Sequence, residues 1–355
     1  MKWYNPQKAP FKISGFAFYE TDGIYRRMPL NPVAPLPEAV YGLANETSGG
    51  QIRFHAKFKK LSIQVSFASK PLYFSTKSPH LALTSRGAFD LYASTDGGDY
   101  EYITTPTGFD HNDMYYEQVL IDAKEAVEID ALLNFPLYGA VDKILIGFDD
   151  DAIISSPRKE FIDDKKIIMY GCSVEQGACA SRPGMSEANI LSRWLNREVY
   201  NLGFNSSGKG EAEVAEVISC IDNVAALIIS IEGNCPDSKW LNEKLREFIR
   251  IYRQKHPDTA IIIMPYLVSA EEKLTAEKYA AKLEKIEIQR KIVEDFSCAG
   301  DKNIYLFMQE SSLEQEFEGN SIWHEVFVDG LHKTDLAYLS TAKGLYKLLT
   351  TIIKN

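Results

Sequence analysis

Lys166-Ile167-Ile168-Met169-Tyr170, followed by Gly171-Cys172-Ser173-Val174-Glu175-Gln176-Gly177, is the stretch that decides the fold. An apolar run without polar alternation predicts a strand buried on both faces, and the glycine-flanked turn after it predicts the opening of a helix. The pattern repeats downstream. Strands are predicted at 198–202, 225–231, 259–265 and 303–308, and helices at 186–195, 211–221, 239–254, 270–296 and 334–353. Apolar strands joined by helices imply a doubly wound parallel sheet covered on both faces, an α/β class.

Upstream the pattern is β. Ile52, Phe54, Ala56 and Phe58 alternate with polar residues, and so do Leu61, Ile63, Val65 and Phe67 beyond Lys59-Lys60. This predicts a hairpin turning at Lys59-Lys60. A second hairpin is expected around Asp96-Gly97-Gly98, from 89–94 to 100–104, with further runs at 15–19, 117–121 and 143–148. No amphipathic helix is evident among them. Short strands separated by Gly, Pro and Asp clusters imply a β-sandwich of jelly-roll type. The character changes around Asp149-Asp150-Asp151 and Ser155-Ser156-Pro157, which predicts a domain over 1–155 and another over 156–355.

Composition agrees with two domains: 355 residues, 45% hydrophobic, 25% charged, 12% aromatic. That excludes a disordered chain. The best apolar run, 225–231, falls far short of the ~20 residues of a membrane-spanning helix. A net charge of −10 repels phosphate backbones, and the short basic cluster Lys57-Phe58-Lys59-Lys60 reads as a turn, so nucleic acid is not expected as a partner. The five cysteines, Cys172, Cys179, Cys220, Cys235 and Cys298, show no zinc-type spacing, so no structural metal is expected. Met1-Lys2-Trp3-Tyr4-Asn5-Pro6 is no secretory leader. A cytosolic protein and one whose leader has been removed both remain open, as does the oligomeric state.

Three places carry chemistry. Ser173, in a strand-to-helix turn, is either a helix cap or a nucleophile with backbone N–H groups nearby. Asp329-Gly330-Leu331-His332 can present a carboxylate to an imidazole across one turn, unless the Asp merely caps a helix beside a surface His. Gly233-Asn234 follows the central strand, where a side-chain amide can donate to an oxyanion or the pair can simply make a turn.

Their order in the chain resembles the SGNH (GDSL-type) hydrolases. The likeness is closest at Gly171-Cys172-Ser173 through Gly177-Ala178-Cys179-Ala180-Ser181-Arg182-Pro183-Gly184-Met185, at Asn201-Leu202-Gly203-Phe204 with Gly208, and at Val328-Asp329-Gly330-Leu331-His332-Lys333-Thr334-Asp335-Leu336. These are similar to a bacterial branch whose N-terminal β-domain carries a GxDLY motif. Here Asp90-Leu91-Tyr92 keeps the DLY, Ala88 replaces the Gly, and Asn134-Phe135-Pro136-Leu137-Tyr138 resembles a strand of that domain. The resemblance implies Ser173 as nucleophile, His332 as general base and acid, and Asp329 as its orienting partner. It also implies an oxyanion hole of the Ser173 and Ser206 backbone N–H groups and the Asn234 side chain, with no cofactor and no metal.

The departures are Cys172 and Cys235, each where the superfamily carries Asp, and Ser206 in place of the oxyanion glycine. Cys172 reads as a packed small side chain. Arg182 reads as a structural ion pair, Asp110-His111-Asn112-Asp113 as a polar loop, and Lys209 and Glu211 as solvated charge. Trp3 and Tyr4 read chiefly as core, and His324 has no identified partner. The expectation is a serine esterase working through an acyl-enzyme on a carbohydrate or related small ester. The alternatives are a lipid or thioester hydrolase, or a catalytically weak carbohydrate-binding protein on the same scaffold. Asp90-Leu91-Tyr92, if on a sheet edge facing the second domain, is expected to help wall the active-site cleft.

Overall fold

The computed structural model describes residues 1–68, 78–110, 112–316 and 325–353. The N-terminal part comprises β1 (Lys2–Tyr4), β2 (Lys12–Ser14), α1 (Tyr19–Asp22), α2 (Glu38–Leu43), β3 (Gln51–Phe67), α3 (Leu83–Gly87), β4 (Asp90–Ser94), β5 (Glu101–Thr104), β6 (Tyr115–Asn134), β7 (Val141–Phe148) and β8 (Ile153–Ser155). Its eight strands are ordered β1-β7-β3-β6-β4-β5, with β2 and β8 also on β3. The strands enclose a core of Phe54, Phe58, Ile63, Leu133 and Phe148, the expected β-sandwich.

Lys59-Lys60 is not a hairpin turn. It lies inside the continuous β3, where the register with β6 shifts between Phe58 and Lys60. Two adjacent polar residues invert the parity of the alternation, and a bulge restores the apolar face as well as a reversal does. Asp149 Oδ1 caps the bulge, accepting the N–H of Lys59 at 2.7 Å and of Lys60 at 2.8 Å. Four further expectations fail. Residues 15–19 lead into α1 rather than a strand, and three short helices interrupt the sheet. Residues 135–138 leave β6, and Leu137 and Tyr138 join the core of the second sheet. The stretch read as a linker contains β8, which still pairs with β3.

The C-terminal part comprises β9 (Lys166–Gly171), α4 (Ser173–Gln176), α5 (Glu187–Leu195), β10 (Glu198–Gly203), α6 (Ala212–Ile218), β11 (Val224–Ser230), α7 (Ser238–Arg253), β12 (Ala260–Ile263), α8 (Ala276–Cys298), β13 (Ile304–Leu306), α9 (Gln309–Glu316) and α10 (Asp335–Ile352). The sheet is wholly parallel, ordered β10-β9-β11-β12-β13. Alternate residues of β9 face opposite cores. Ile168 and Tyr170 pack with α6, α7 and α8, while Ile167 and Met169 pack with α5 and α10. Strand order reverses at β9, so the crevice beyond its carboxyl end is where such sheets place ligands.

The N-terminal arm reaches across the sequence boundary. Met28, Val40 and Ala44 join the core of the parallel sheet, and the fully buried Arg27 donates to the carbonyl oxygens of Gly203, Leu43 and Glu46. Among the described residues, no helix is long and apolar enough to cross a membrane.

Candidate active site

Ser173 opens α4 directly beyond β9. Gly171 is required by crowding there: a Cβ would sit 2.3 Å from the Ser230 carbonyl oxygen and 2.4 Å from Glu175 Oε2. Glu175 reaches back across its own turn to accept the Cys172 N–H at 3.0 Å, which fixes the entry of the helix. Ser173 is 5% exposed, so its hydroxyl meets solvent only through the crevice.

The loop before α10 brings the other two residues to it. Ser173 Oγ lies 2.9 Å from His332 Nε2, and His332 Nδ1 lies 2.8 Å from Asp329 Oδ2. With Nδ1–H donating to Asp329, Nε2 is the acceptor for the serine hydroxyl. Asp329 Oδ1 takes the N–H of His332 at 2.8 Å and of Leu331 at 3.1 Å. Partial burial opposes its ionisation, but these hydrogen bonds and the imidazole prevail and hold the carboxyl below its ordinary value. The loop is pinned at both ends. Val328 N–H donates to His332 O and Thr334 N–H to Val326 O, Lys333 makes a buried ion pair with Glu187, and Asp335 accepts from Ser181. No short-range pattern signals these anchors.

The turn after β10 lies over the Ser173 turn. Phe204 N–H donates to Gly171 O at 2.9 Å, and a Cβ on Gly208 (φ +72°) would approach that same oxygen to 1.9 Å. Ser206, exposed, holds φ +57°, the left-handed conformation that a glycine would adopt without strain. Asn234 ends a 3-10 turn beyond β11 and donates through Nδ2 to the carbonyl of Ser207, the residue after Ser206, at 2.5 Å.

Behind these groups are residues to which sequence reasoning gave no role. Tyr266, just past β12, contacts Cys172 Sγ and donates to Glu175 Oε2 at 3.0 Å. Burial, reinforced by the Glu175 carboxylate, pushes the Cys172 thiol up to about 12, so Cys172 is a packed neutral side chain. Cys235 is buried too and donates to Ile231 O at 3.3 Å. Glu232 receives Lys282 and Gln289 of α8 and the Tyr266 N–H, which ties the Asn234 turn to a long helix. Gln176 bonds Glu46 and Leu137 O from the first sheet's side and takes the Asn205 N–H at 2.8 Å. The strand-end rule points to Tyr266, and Gln176 lies inside the quoted motif. Lys282 had no signal.

Arg182 makes the expected ion pair, with Asp90 at 3.2 Å, and stacks on Tyr102. Asp90 also accepts the Gly184 N–H at 2.7 Å, so the DLY motif grips the loop that follows α4. β4 is not an edge, because β5 and β6 flank it. Ala88 replaces the motif glycine without strain at φ −86°. Glu211 is not merely solvated: it accepts from the Tyr170 hydroxyl and from Lys209 N–H. Asp110, Asn112 and Asp113 form a self-bonded polar loop, and Trp3 packs over Gly147. His111 and His324 lie outside the described residues.

Residues 164–350 match the GDSL-like lipase/acylhydrolase family, and residues 1–154 match the N-terminal domain of SGNH-hydrolase-type esterases. No curated protein matches the chain. Among solved structures, a Bacteroides ovatus protein described as a GDSL-like lipase is 28% identical over 99% of this chain and 97% of its own, with a TM-score of 0.85. A salicylyl-acyltransferase from a tetracycline biosynthetic pathway is 15% identical over 99% of both chains, at 0.69. An acetyl xylan esterase of the rumen bacterium Butyrivibrio proteoclasticus is 12% identical over 99% of both chains, at 0.56. The last two share the fold. The chain itself belongs to the GDSL-like lipase/acylhydrolase family and is a serine hydrolase.

Proposed function

We propose that this esterase deacylates, and specifically deacetylates, a carbohydrate or related small ester, with residues 1–155 and 156–355 as its two domains. The observation that carries the reading is the continuous relay from Ser173 through His332 to Asp329. Ser173 Oγ attacks the ester carbon while its proton passes to His332 Nε2. Asp329 holds the ring and stabilises the imidazolium. The Ser173 and Ser206 N–H groups and the Asn234 amide receive the oxyanion. His332 returns the proton to the leaving alcohol, then deprotonates the water that releases the acid.

The substrate class is supported by a cavity of about 400 Å³ beside Asp329 and Val174. Gly233, Tyr266, Lys278, Lys285 and Leu331 line it, a mixed polar surface suited to a hydroxylated group. The fold shared with the acetyl xylan esterase agrees with this. The test is hydrolysis of p-nitrophenyl acetate and butyrate, then of acetylated xylo-oligosaccharides, by wild type and Ser173→Ala, with fluorophosphonate labelling of each. Turnover and labelling that vanish in Ser173→Ala, with acetate preferred, are the expected result. A wild type that neither labels nor turns over refutes it.

A further inference from the structure

His80, Cys179 and His332 present one nitrogen or sulfur each, and these atoms all lie within 4.8 Å of one another. The residues are remote in sequence and come from three segments. The imidazoles of His80 and His332 are stacked, 5.4 Å between centroids and 18° between planes. We propose that these three side chains form a site for a soft divalent cation, zinc(II) by preference, whose occupation shuts off the esterase; the inhibition, though not the binding, rests on His332 being the base.

The donor set carries the argument. One thiol and two imidazoles are the ligands zinc takes at about 2.0–2.3 Å in a tetrahedral site, with a water completing four. A separation within 4.8 Å closes to such a geometry by rotation of the rings. Binding replaces the thiol proton, which leaves to solvent, by a metal–sulfur bond.

The scaffold already holds two of the donors in place. Cys179 is buried at φ +66°, a left-handed conformation that is unfavourable for a residue with a Cβ and is maintained here by its neighbours. Ala178 N–H donates to Ser173 O, Ala180 N–H to Gly177 O, and the Tyr338 hydroxyl to Ala178 O. His80 is held beside the buried Leu81, which packs into the parallel-sheet core. The catalytic relay makes no use of either residue.

Inhibition follows from the geometry of His332, because both its nitrogens are engaged. A cation on Nε2 removes the acceptor of the Ser173 hydroxyl, and one on Nδ1 removes the bond to Asp329. Either breaks the relay without displacing the loop.

The test uses the full chain with the Cys220→Ser and Cys298→Ser changes, freed of metal by a chelator. Cobalt(II) titration should give one equivalent with a thiolate-to-cobalt charge-transfer band, absent in Cys179→Ser and at least about tenfold weaker in His80→Ala. Zinc should inhibit p-nitrophenyl acetate hydrolysis reversibly, with at least about tenfold more needed against either variant. Absence of the thiolate band, or equal zinc sensitivity in His80→Ala and the parent, overturns the proposal. If Cys179→Ser does not fold, His80→Ala decides alone. A chain without esterase activity still reports the site through cobalt, so failure of the hydrolase reading is distinguishable.

Discussion

Gly208→Ala tests the packing behind Ser173 most directly. The added Cβ would lie 1.9 Å from Gly171 O and 2.6 Å from Gly171 C, where contacts under 3.0 Å essentially never occur. The two turns must therefore part by about 1 Å. Neither has a flexible side chain to yield, since both sides of the contact are backbone and Gly171 O already accepts the Phe204 N–H. At φ +72° the alanine also incurs the left-handed penalty of about 1–2 kcal/mol. With overpacking of about 1–3 kcal/mol, the expected loss is roughly 2–5 kcal/mol of stability. A shift of about 1 Å between Ser173 and the Ser206 turn should lower kcat/KM on p-nitrophenyl acetate by about 10²-fold in the protein that remains folded. Urea denaturation and steady-state kinetics on the same preparation measure both. A variant within about 1 kcal/mol and threefold of wild type would show that the turns do not pack as described.

Ser206→Gly should act oppositely. It relieves the strain at φ +57° against a smaller gain in unfolded-state entropy, so the urea midpoint should rise by the equivalent of about 0.5–1 kcal/mol; a fall refutes the strained-glycine reading. Lys282→Met leaves Glu232 buried without its cation, which should cost about 3–5 kcal/mol and lower kcat more than it raises KM, because Glu232 supports the Asn234 turn. Unchanged kcat in the folded fraction would separate α8 from the oxyanion site. Asp329→Asn should reduce kcat by about 10³–10⁴-fold while leaving the denaturation curve nearly in place; a drop under tenfold removes Asp329 from the relay.

Stability should also depend on pH through two buried carboxyls. Burial raises Glu46 and Glu175 from 4.5 to about 7, with Arg27 and Lys333 respectively opposing the shift. Between those values the native state holds protons that the unfolded chain has released. Their contribution to stability therefore falls as pH rises from about 4.5 to about 7. Urea denaturation at pH 5 and pH 8 should show a smaller decline in Glu175→Gln than in wild type, and equal declines would contradict the assignment.

The parallel sheet and the order of its site residues were written locally. Each of its strands is a short apolar run between turn formers, and Ser173, the DxxH pair and Asn234 each follow or precede a predicted element. The strand-end rule then suffices to place them at one edge without any knowledge of packing. The sandwich was legible as a class but not in its register. Two adjacent lysines break the alternation identically whether the chain reverses or bulges, and only Asp149, far along the chain, chose the bulge. The local signal for β6 covers only 117–121, because its second half interleaves Glu, Asp and Ala, which are poor strand formers, and is held by pairing with β3 and β4.

The support of the site belongs to tertiary structure alone. Lys282 on Glu232, Lys333 on Glu187, Gln176 on Glu46 and His80 against His332 join residues distant in sequence. A buried charge or amide is tolerated anywhere a partner reaches it, so such pairs leave no periodic trace. The fold and the candidates for the reacting groups were legible in the chain alone, because backbone propensity and burial act over a few residues. Folding decided how those groups are held and what else approaches them, because desolvated polar contacts depend on where distant segments come to rest.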